Sequence, residues 1–336
     1  MPEEHISVIE CSGTPREMGR QYGEQARDEI RANVQRRGTM DGFQRDHSMR
    51  TKALLERHAA DVLDELEGVG EGSGVPLLDL IAENCVGTPV SQECTTIAIS
   101  AGKDGPVLGK NNDGALNERH WVLRRTRPAR GLPMIQVISA GWLSGLDAIN
   151  AAGLANGHNS VGSVLKRRPD GLEIRLWSYQ LMQRCENVAE FVGALASIPL
   201  DGKGFNVVAA DSAGGVCVAE CALPYVACRG LGDQFVYATN HYVSEELKNA
   251  DRRTPDQKTV SVLRYGFLLW NELTNPPRSE HDIRCLLTSH EPWAPCRHGG
   301  AHMDHTLWSM IARPRERRIR VSFGAPCESE YHSYQL

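Results

Sequence analysis

The strongest candidate for a catalytic residue in this chain is a cysteine at the start of a predicted strand. Cys94 lies in SQECTTIAIS, where Ile97 and Ile99 alternate with smaller residues in a pattern typical of a β-strand. A free thiol has a pKa of about 8.5, so it needs a base to act as a nucleophile near neutral pH. A histidine from elsewhere in the chain could be that base. Alternatively, cleavage between Glu93 and Cys94 would create an α-amine with a pKa of about 7.7 to 8.0, which could serve instead.

A second group of chemistry-bearing residues lies in CLLTSHEPWAPCRHGGAHMDH. It holds residue types that bind zinc, namely Cys285, His290, Cys296, His298, His302 and His305. Their spacings do not match paired C-x2–4-C and H-x3–5-H knuckles, and the glycines at 299 and 300 argue against one shared helix face. We therefore expect a loop over the active-site pocket, with no metal ion bound.

The chain has two parts with different sequence patterns, and the helices and strands they form must position these residues. Residues 15–67 are rich in helix formers with apolar stripes, and we expect Gly68 and Gly70 to end their last helix. A shorter helix should follow within 75–87. From Cys94 onwards, short strands alternate with Gly and Asn turns, and helical patterns return within 172–198, 259–273 and 279–289. This order of elements predicts antiparallel sheets packed in layers with helices.

Bulk composition narrows the class of protein. The 336 residues carry a net charge of -5 and are 41% hydrophobic, so we expect a globular protein with neither nucleic acid nor membrane as a partner. No apolar run approaches the roughly 18 residues that span a bilayer, and no signal peptide is visible, so we expect a cytoplasmic location. Ten cysteines without a CxxC motif are expected to be mostly reduced and buried.

Several stretches together resemble the acyl-coenzyme A:6-aminopenicillanic acid acyltransferase family of N-terminal nucleophile (Ntn) hydrolases. Their order and spacing carry the resemblance, which covers most of the chain: CSGTPREMGRQYGEQ, ECTTIAIS, DGPVLGKNND, INAAGLANGHNS, ATNHY and HTLWSMIARPRERRIRVSFGAP. The resemblance implies an α+β fold, the four-layer αββα sandwich of antiparallel sheets, with an N-terminal helical segment. It also implies a zymogen that cleaves itself. Residues 1–93 would become the α subunit, and residues 94–336, the catalytic core, the β subunit of a heterodimer.

The resemblance also implies roles for individual residues. Cys94 would be the nucleophile, released by cleavage after Glu93. Asp113 would orient or polarise its α-amine, and Asn240 would donate its side-chain amide to the tetrahedral oxyanion. Losing such a donor typically costs about 10² to 10³ in rate. The family can also place an arginine where Arg297 lies. Four residues are therefore candidate substrate contacts, the other three from their positions beside these motifs: Asn111, Asn156, His241 and Arg297.

One departure from the family pattern bears on maturation. The family commonly has glycine before the nucleophile, where this chain has Glu93. Glycine eases the strained geometry of self-cleavage, whereas glutamate places a carboxylate beside the forming thiolate.

The residues and the resemblance together favour a self-processing amidohydrolase or acyltransferase without a cofactor. It would cleave a small-molecule amide or acyl substrate through an acyl-thioenzyme. Two alternatives stay open. One is a metal-dependent hydrolase that uses the 285–305 Cys/His cluster, and the other is a binding protein on the same scaffold that does not mature.

Overall fold

The computed structural model describes residues 7–85, 93–116, 119–299 and 304–336. Its N-terminal part is one strand followed by helices: β1 (Ser7–Gly13), α1 (Pro15–Gln25), α2 (Arg27–Arg37), α3 (Gly42–His58), α4 (Ala60–Ser73) and α5 (Leu77–Cys85). The predicted helical segment is thus helical from residue 15, and it also contributes a strand that the sequence pattern did not indicate. Every helix in the described part of the chain is too short or too polar to cross a lipid bilayer.

From residue 95 onwards strands dominate, and helices interrupt them where the sequence predicted. The elements are β2 (Thr95–Ile99), β3 (Val107–Gly114), β4 (Trp121–Pro128), β5 (Met134–Ser139), β6 (Ala148–Asn150), β7 (Ala155–Ser160), β8 (Leu172–Glu173), α6 (Ile174–Met182), α7 (Val188–Leu195), β9 (Leu200–Asp201), β10 (Phe205–Ala210), β11 (Val216–Ala222), β12 (Tyr225–Arg229), β13 (Phe235–Ala238), α8 (Pro255–Thr274), α9 (Glu280–Thr288), β14 (His305–Arg313), β15 (Arg318–Phe323) and β16 (His332–Gln335).

Two large sheets organise these strands. The first has the order β1-β4-β5-β6-β7-β10-β11-β12, and the second has the order β13-β2-β3-β14-β15-β16. Within these two sheets neighbouring strands run antiparallel, except that β1 lies parallel to β4. The short strands β8 and β9 form a separate parallel pair. The strand that follows Cys94 is therefore an interior strand of the second sheet, between β13 and β3.

Side chains on alternate faces of the strands show how the layers stack. On β10, Val207 packs into the core shared with the N-terminal helices, and Val208 packs into the core between the two sheets. On β2, Ala98 lies in that same inner core, and Ile97 packs against α8 and α9 on the outer face. The layers are helices, sheet, sheet and helices, which confirms the predicted αββα architecture.

One predicted helix boundary is wrong. Helix α4 continues through Gly68 and Gly70 and ends at Gly74, which is in the left-handed conformation with φ 74°. The reason is close packing of α4 against α1. A Cβ on Gly19 of α1 would lie 2.0 Å from a carbonyl oxygen of α4, and a Cβ on Gly68 would lie 2.3 Å from a carbonyl oxygen of α1. These glycines let two backbones touch and do not end the helix.

Candidate active site

Cys94 immediately precedes β2, an interior strand of the second sheet, and is fully buried. Its backbone N–H donates a hydrogen bond of 2.8 Å to Asn240 Oδ1. Its sulfur lies 3.6 Å from Oδ1 of Asn112 on β3. The sheet pairing explains this contact, because Thr95 pairs with Asn111 and the preceding residue therefore faces the next position of β3. The predicted nucleophile and the predicted oxyanion residue are thus in direct contact.

A buried arginine on α8 joins the residues around this bond. Arg264 is fully buried, and its Nη1 donates to the carbonyl oxygen of Cys94 and to Thr95 Oγ1, each at 2.7 Å. Its Nη2 donates to Asn240 Oδ1 at 2.9 Å and forms an ion pair with the Glu93 carboxylate. One guanidinium therefore fixes the residues on both sides of the predicted cleavage point.

The Glu93 carboxylate is paired with two arginines. In addition to the ion pair with Arg264, its carboxylate lies 3.4 Å from Nη1 of Arg253. Two guanidinium groups offset its negative charge. The repulsion that glutamate could exert on a forming thiolate at Cys94 is correspondingly reduced.

Asp113 is buried on β3 and accepts a 2.8 Å hydrogen bond from Thr306 Oγ1. Burial raises the pKa of Asp113 to about 8, although Arg264, the Thr306 hydroxyl and Arg297 oppose the rise. In the uncut chain this carboxyl group is therefore largely protonated at neutral pH. A new α-ammonium group nearby would favour its ionised form, as the predicted orienting role requires.

The thiol itself is a poor nucleophile in the uncut chain. Burial raises the pKa of Cys94 to about 11, while the Lys110 ammonium group and a backbone hydrogen bond from Asp113 act in the opposite direction. At neutral pH almost all of the sulfur is therefore protonated. Attack by this sulfur needs a base close by, and an α-amine on the same residue would be one.

A buried ion pair links the second sheet, at the candidate site, to the first sheet. Lys110 on β3 is fully buried, and its Nζ donates to Asp147 Oδ1 at 2.6 Å. The other carboxylate oxygen of Asp147 lies 2.9 Å from Nδ1 of His158. Burial alone would raise the pKa of Asp147, but His158 and Lys110 lower it to about 2. Burial lowers the pKa of His158 to about 4. A neutral imidazole and an ionised carboxylate therefore hold the Lys110 side chain in place between the sheets.

Two of the predicted substrate contacts have structural partners. Asn111 Nδ2 donates to the carbonyl oxygens of Leu287 and Pro295, at 2.9 and 3.2 Å, and so ties β3 to the loop after α9. Asn156 accepts from the backbone N–H of Asp147 at 3.0 Å, which holds the turn that carries this carboxylate. Their predicted contacts with substrate stay predictions.

The other two predicted substrate contacts lie at the edges of the site. The His241 ring nitrogen Nδ1 is 2.9 Å from Ser261 Oγ, and burial lowers the pKa of His241 to about 4. Arg297 is connected to the site through its backbone, whose N–H donates to Thr306 Oγ1 at 2.9 Å. The same hydroxyl binds Asp113, so Arg297 and Asp113 share one intermediary.

Comparison with known proteins identifies a family. The family model described as acyl-coenzyme A:6-aminopenicillanic acid acyl-transferase matches residues 100–328, more than half of the chain. The chain belongs to this family. The matched region begins just beyond Cys94, so it includes Asp113 and Asn240 but not the predicted nucleophile.

The individual proteins that match this chain have low sequence identity to it. The acyl-coenzyme A:6-aminopenicillanic-acid-acyltransferase 40 kDa form of Emericella nidulans is 26% identical over 185 residues, which is 50% of this chain and 50% of that protein. The chain thus matches about half the length of this curated relative. Among solved structures, a Caenorhabditis elegans N-acylethanolamine-hydrolyzing acid amidase ortholog aligns with a TM-score of 0.46 and 12% identity, over 66% of this chain and 93% of that chain. A conjugated bile acid hydrolase variant from Clostridium perfringens aligns with a TM-score of 0.47 and 12% identity, over 72% and 97%.

The sequence analysis did not predict several residues of the candidate active site. Arg264 is the most important, and a signal for it does exist. The residues that α8 buries are Val260, Ser261, Arg264 and Leu268, so the arginine lies on an apolar stripe where only a paired charge is stable. Lys110 lies in the stretch DGPVLGKNND, but its place in the sequence does not indicate that it is buried. Its partner Asp147 had no local signal, because the pair forms only when the two sheets stack.

Proposed function

We propose that this chain is a self-processing amidohydrolase or acyltransferase. It cleaves its own Glu93–Cys94 bond and then cleaves linear amides through an acyl-thioenzyme on Cys94. The observation that carries the proposal is the fixed geometry of that one peptide. Asn240 accepts from the Cys94 N–H, and Arg264 binds both the Cys94 carbonyl oxygen and the Glu93 carboxylate. Family membership supports the reaction class.

Maturation begins when Cys94 Sγ attacks the Glu93 carbonyl carbon. A carbon–sulfur bond forms, the carbon–nitrogen bond breaks, and the thiol proton goes to the leaving nitrogen, which becomes the α-amine. Water then hydrolyses the thioester, which leaves a carboxylate on Glu93 and restores the thiol. Both flanking residues are held by Arg264, so the reacting atoms lose little further freedom on the way to this transition state.

Turnover then uses the new α-amine as the base. It takes the thiol proton as Sγ attacks the substrate carbonyl, and it returns that proton to the leaving amine. The Asn240 side chain orients this nitrogen through Oδ1, while its Nδ2 donates to the Ser160 carbonyl oxygen in the uncut chain. Its role as an oxyanion donor stays part of the proposal. Asp113 would ionise as it pairs with the α-ammonium form.

The molecule that accepts the acyl group decides whether the reaction is hydrolysis or acyl transfer. Water gives an amidohydrolase, and a second amine gives an acyltransferase, the activity in the family's name. We propose hydrolysis as the default because water is always present. The buried thiol of the uncut chain also implies that substrate reaches Cys94 only after maturation has freed residue 93 from it. The two products, residues 1–93 and 94–336, would stay together as a heterodimer because β1 lies within the first sheet.

Intact-mass analysis of the purified protein tests the proposal. We expect two chains that separate before Cys94, and one uncut chain in Cys94→Ala. The matched control is Cys217→Ala, which removes another fully buried cysteine on β11 and should still be cut. Mature protein should hydrolyse N-acyl amino acids or acyl-amines, and Cys94→Ala should not.

Two results would contradict the proposal. A full-length Cys94→Ala chain that still hydrolyses amides would exclude Cys94 as the nucleophile. A wild-type chain that stays uncut and leaves Cys94 unreactive towards substrate would instead favour the non-maturing binding protein.

A further inference from the structure

Four metal-binding side chains converge beside the candidate active site. Three come from the loop after α9, His290, Cys296 and His298, and the fourth is Cys327, which follows β15. One ligand atom from each lies within 4.8 Å of those of the others. Sequence spacing could not group them, because Cys327 is remote in the chain and Cys285 and His305 are not members. His302, another sequence candidate, lies outside the described residues.

The separations approach the edges of one coordination tetrahedron. Zinc binds sulfur at about 2.3 Å and nitrogen at about 2.0 to 2.1 Å, so tetrahedral ligands are about 3.8 Å apart for two sulfurs, about 3.5 Å for sulfur and nitrogen, and about 3.3 Å for two nitrogens. Here the two sulfurs of Cys296 and Cys327 are 3.6 Å apart, and His298 Nε2 lies 3.6 and 3.2 Å from them. The Nε2 atoms of His290 and His298 are 3.0 Å apart.

The surroundings of His298 favour metal binding through Nε2. Its other ring nitrogen, Nδ1, lies 3.6 Å from Glu328 Oε1, the residue next to Cys327. A carboxylate near the second nitrogen is one of the usual partners of a histidine that binds metal, because a hydrogen bond to it fixes the ring and the tautomer.

A disulfide between Cys296 and Cys327 accounts for less of this geometry. The sulfurs are 3.6 Å apart, whereas a disulfide bond is about 2.0 Å long. It would also leave unexplained why two imidazole Nε2 atoms point at the same place.

We propose that His290, Cys296, His298 and Cys327 bind one zinc ion in a structural site. Protein atoms fill all four positions, so no position is open for water or substrate, and the ion would not do catalysis. This proposal differs from the metal-free loop expected from the sequence. It also differs from a metal-dependent hydrolase, and it stands whether or not Cys94 is a nucleophile.

The site would fix the loop that borders the candidate active site. Arg297 lies between two of the ligands, and its backbone exchanges hydrogen bonds of 2.9 Å with Thr306. Thr306 in turn donates to Asp113. Asn111 binds the Pro295 carbonyl oxygen, immediately before Cys296. An ion that joins this loop to Cys327 would therefore hold Arg297 and Thr306 in place beside Asp113 on β3.

Zinc content of the full-length protein, purified without added metal or chelator, is the primary test. We expect about one zinc per chain in the wild type, and loss of most of it in Cys327→Ser and His298→Ala, since each variant removes one of four ligands. The matched control is Cys285→Ser, an exposed cysteine on α9 outside the cluster, which should keep its zinc. Wild-type zinc content that equals that of Cys327→Ser would overturn the proposal.

A second measurement needs no variant and so does not depend on how well a variant folds. Wild-type protein is stripped with a chelator and titrated with cobalt(II). We expect one equivalent to bind with a thiolate-to-cobalt charge-transfer band, and one equivalent of zinc to abolish it. Absence of that band would refute the site. So would a metal-free protein whose mass shows two hydrogens lost and a Cys296–Cys327 disulfide.

Discussion

The ion pair between Arg264 and Glu93 allows a quantitative test of the candidate site. Arg264 is fully buried and the Glu93 side chain is 11% exposed. We predict that Arg264→Met, made in the uncut Cys94→Ala background, lowers the free energy of unfolding by about 3 to 5 kcal/mol, because the buried carboxylate then keeps only its longer contact with Arg253. The carbonyl oxygen at position 94 and Asn240 Oδ1 lose donors as well.

The magnitude can be assigned to the pair by adding Glu93→Gln. If the loss of the Arg264 partner of this carboxylate causes the destabilisation, the double variant should recover about 1.5 to 3 kcal/mol relative to the sum of the single variants. Arg253 supplies the matched control. Its contact with Glu93 is 3.4 Å long and its side chain is 19% exposed, so coupling of Arg253→Gln with Glu93→Gln should stay below about 1 kcal/mol.

Urea denaturation at neutral pH, followed by circular dichroism, measures each free energy. Intact mass should confirm that every variant is uncut, so that stability and processing are not confused. A coupling energy between Arg264 and Glu93 within about 0.5 kcal/mol of zero, the usual scatter of additivity, would refute the reasoning. It would mean that Arg264 does not hold Glu93 at the predicted cleavage point.

Three further predictions concern the pH dependence, the thiol and the helix packing. In the uncut background, the free energy of unfolding of Asp113→Asn should rise relative to its parent, by up to a few kcal/mol, as pH rises from about 4 to about 8. The reason is that Asp113 ionises over this range only in the unfolded parent, which destabilises the parent and not the variant. A difference between the two that stays constant with pH in urea titrations would contradict this. Lys110→Met should slow self-cleavage at Cys94 by about tenfold or more. The Lys110 charge lowers the pKa of the Cys94 thiol, and a rise of one unit in that pKa lowers the thiolate fraction tenfold. Unchanged cleavage in a time course by intact mass would argue against it. Gly68→Ala should lower the free energy of unfolding by about 1 to 3 kcal/mol through overpacking. The control Gly266→Ala, where a Cβ meets open space on α8, should be neutral or stabilising in the same urea assay.

Local patterns were enough to predict much of the fold. The strand after Cys94, the hairpin of β10 and β11, and helices α8 and α9 follow from periodicity and turn residues, which act over a few neighbouring positions. The predicted end of α4 was wrong because the prediction used local propensity alone. Gly68 is a helix stop by local propensity, and only the close approach of α1 makes it a position inside the helix.

Part of the candidate site was also predictable. Motif order placed Cys94, Asp113 and Asn240 in one site, and the structure brings Cys94 and Asn240 into direct contact. The family resemblance was confirmed by the match over residues 100–328. The roles of these residues stay predictions, because no contact in the uncut chain reports on the reaction itself.

What the sequence by itself determined is the set of local elements and the order of the motifs, including a cysteine that opens a strand. Only the tertiary structure decided which charges are paired and which ligands meet. Arg264 reaches Glu93 from a helix 171 residues later in the chain, and Cys327 joins His298 across 29 residues. Such partners carry no local signal, because their pairing is set by how the sheets and helices stack. A buried charge is stable only once that stacking has supplied its partner.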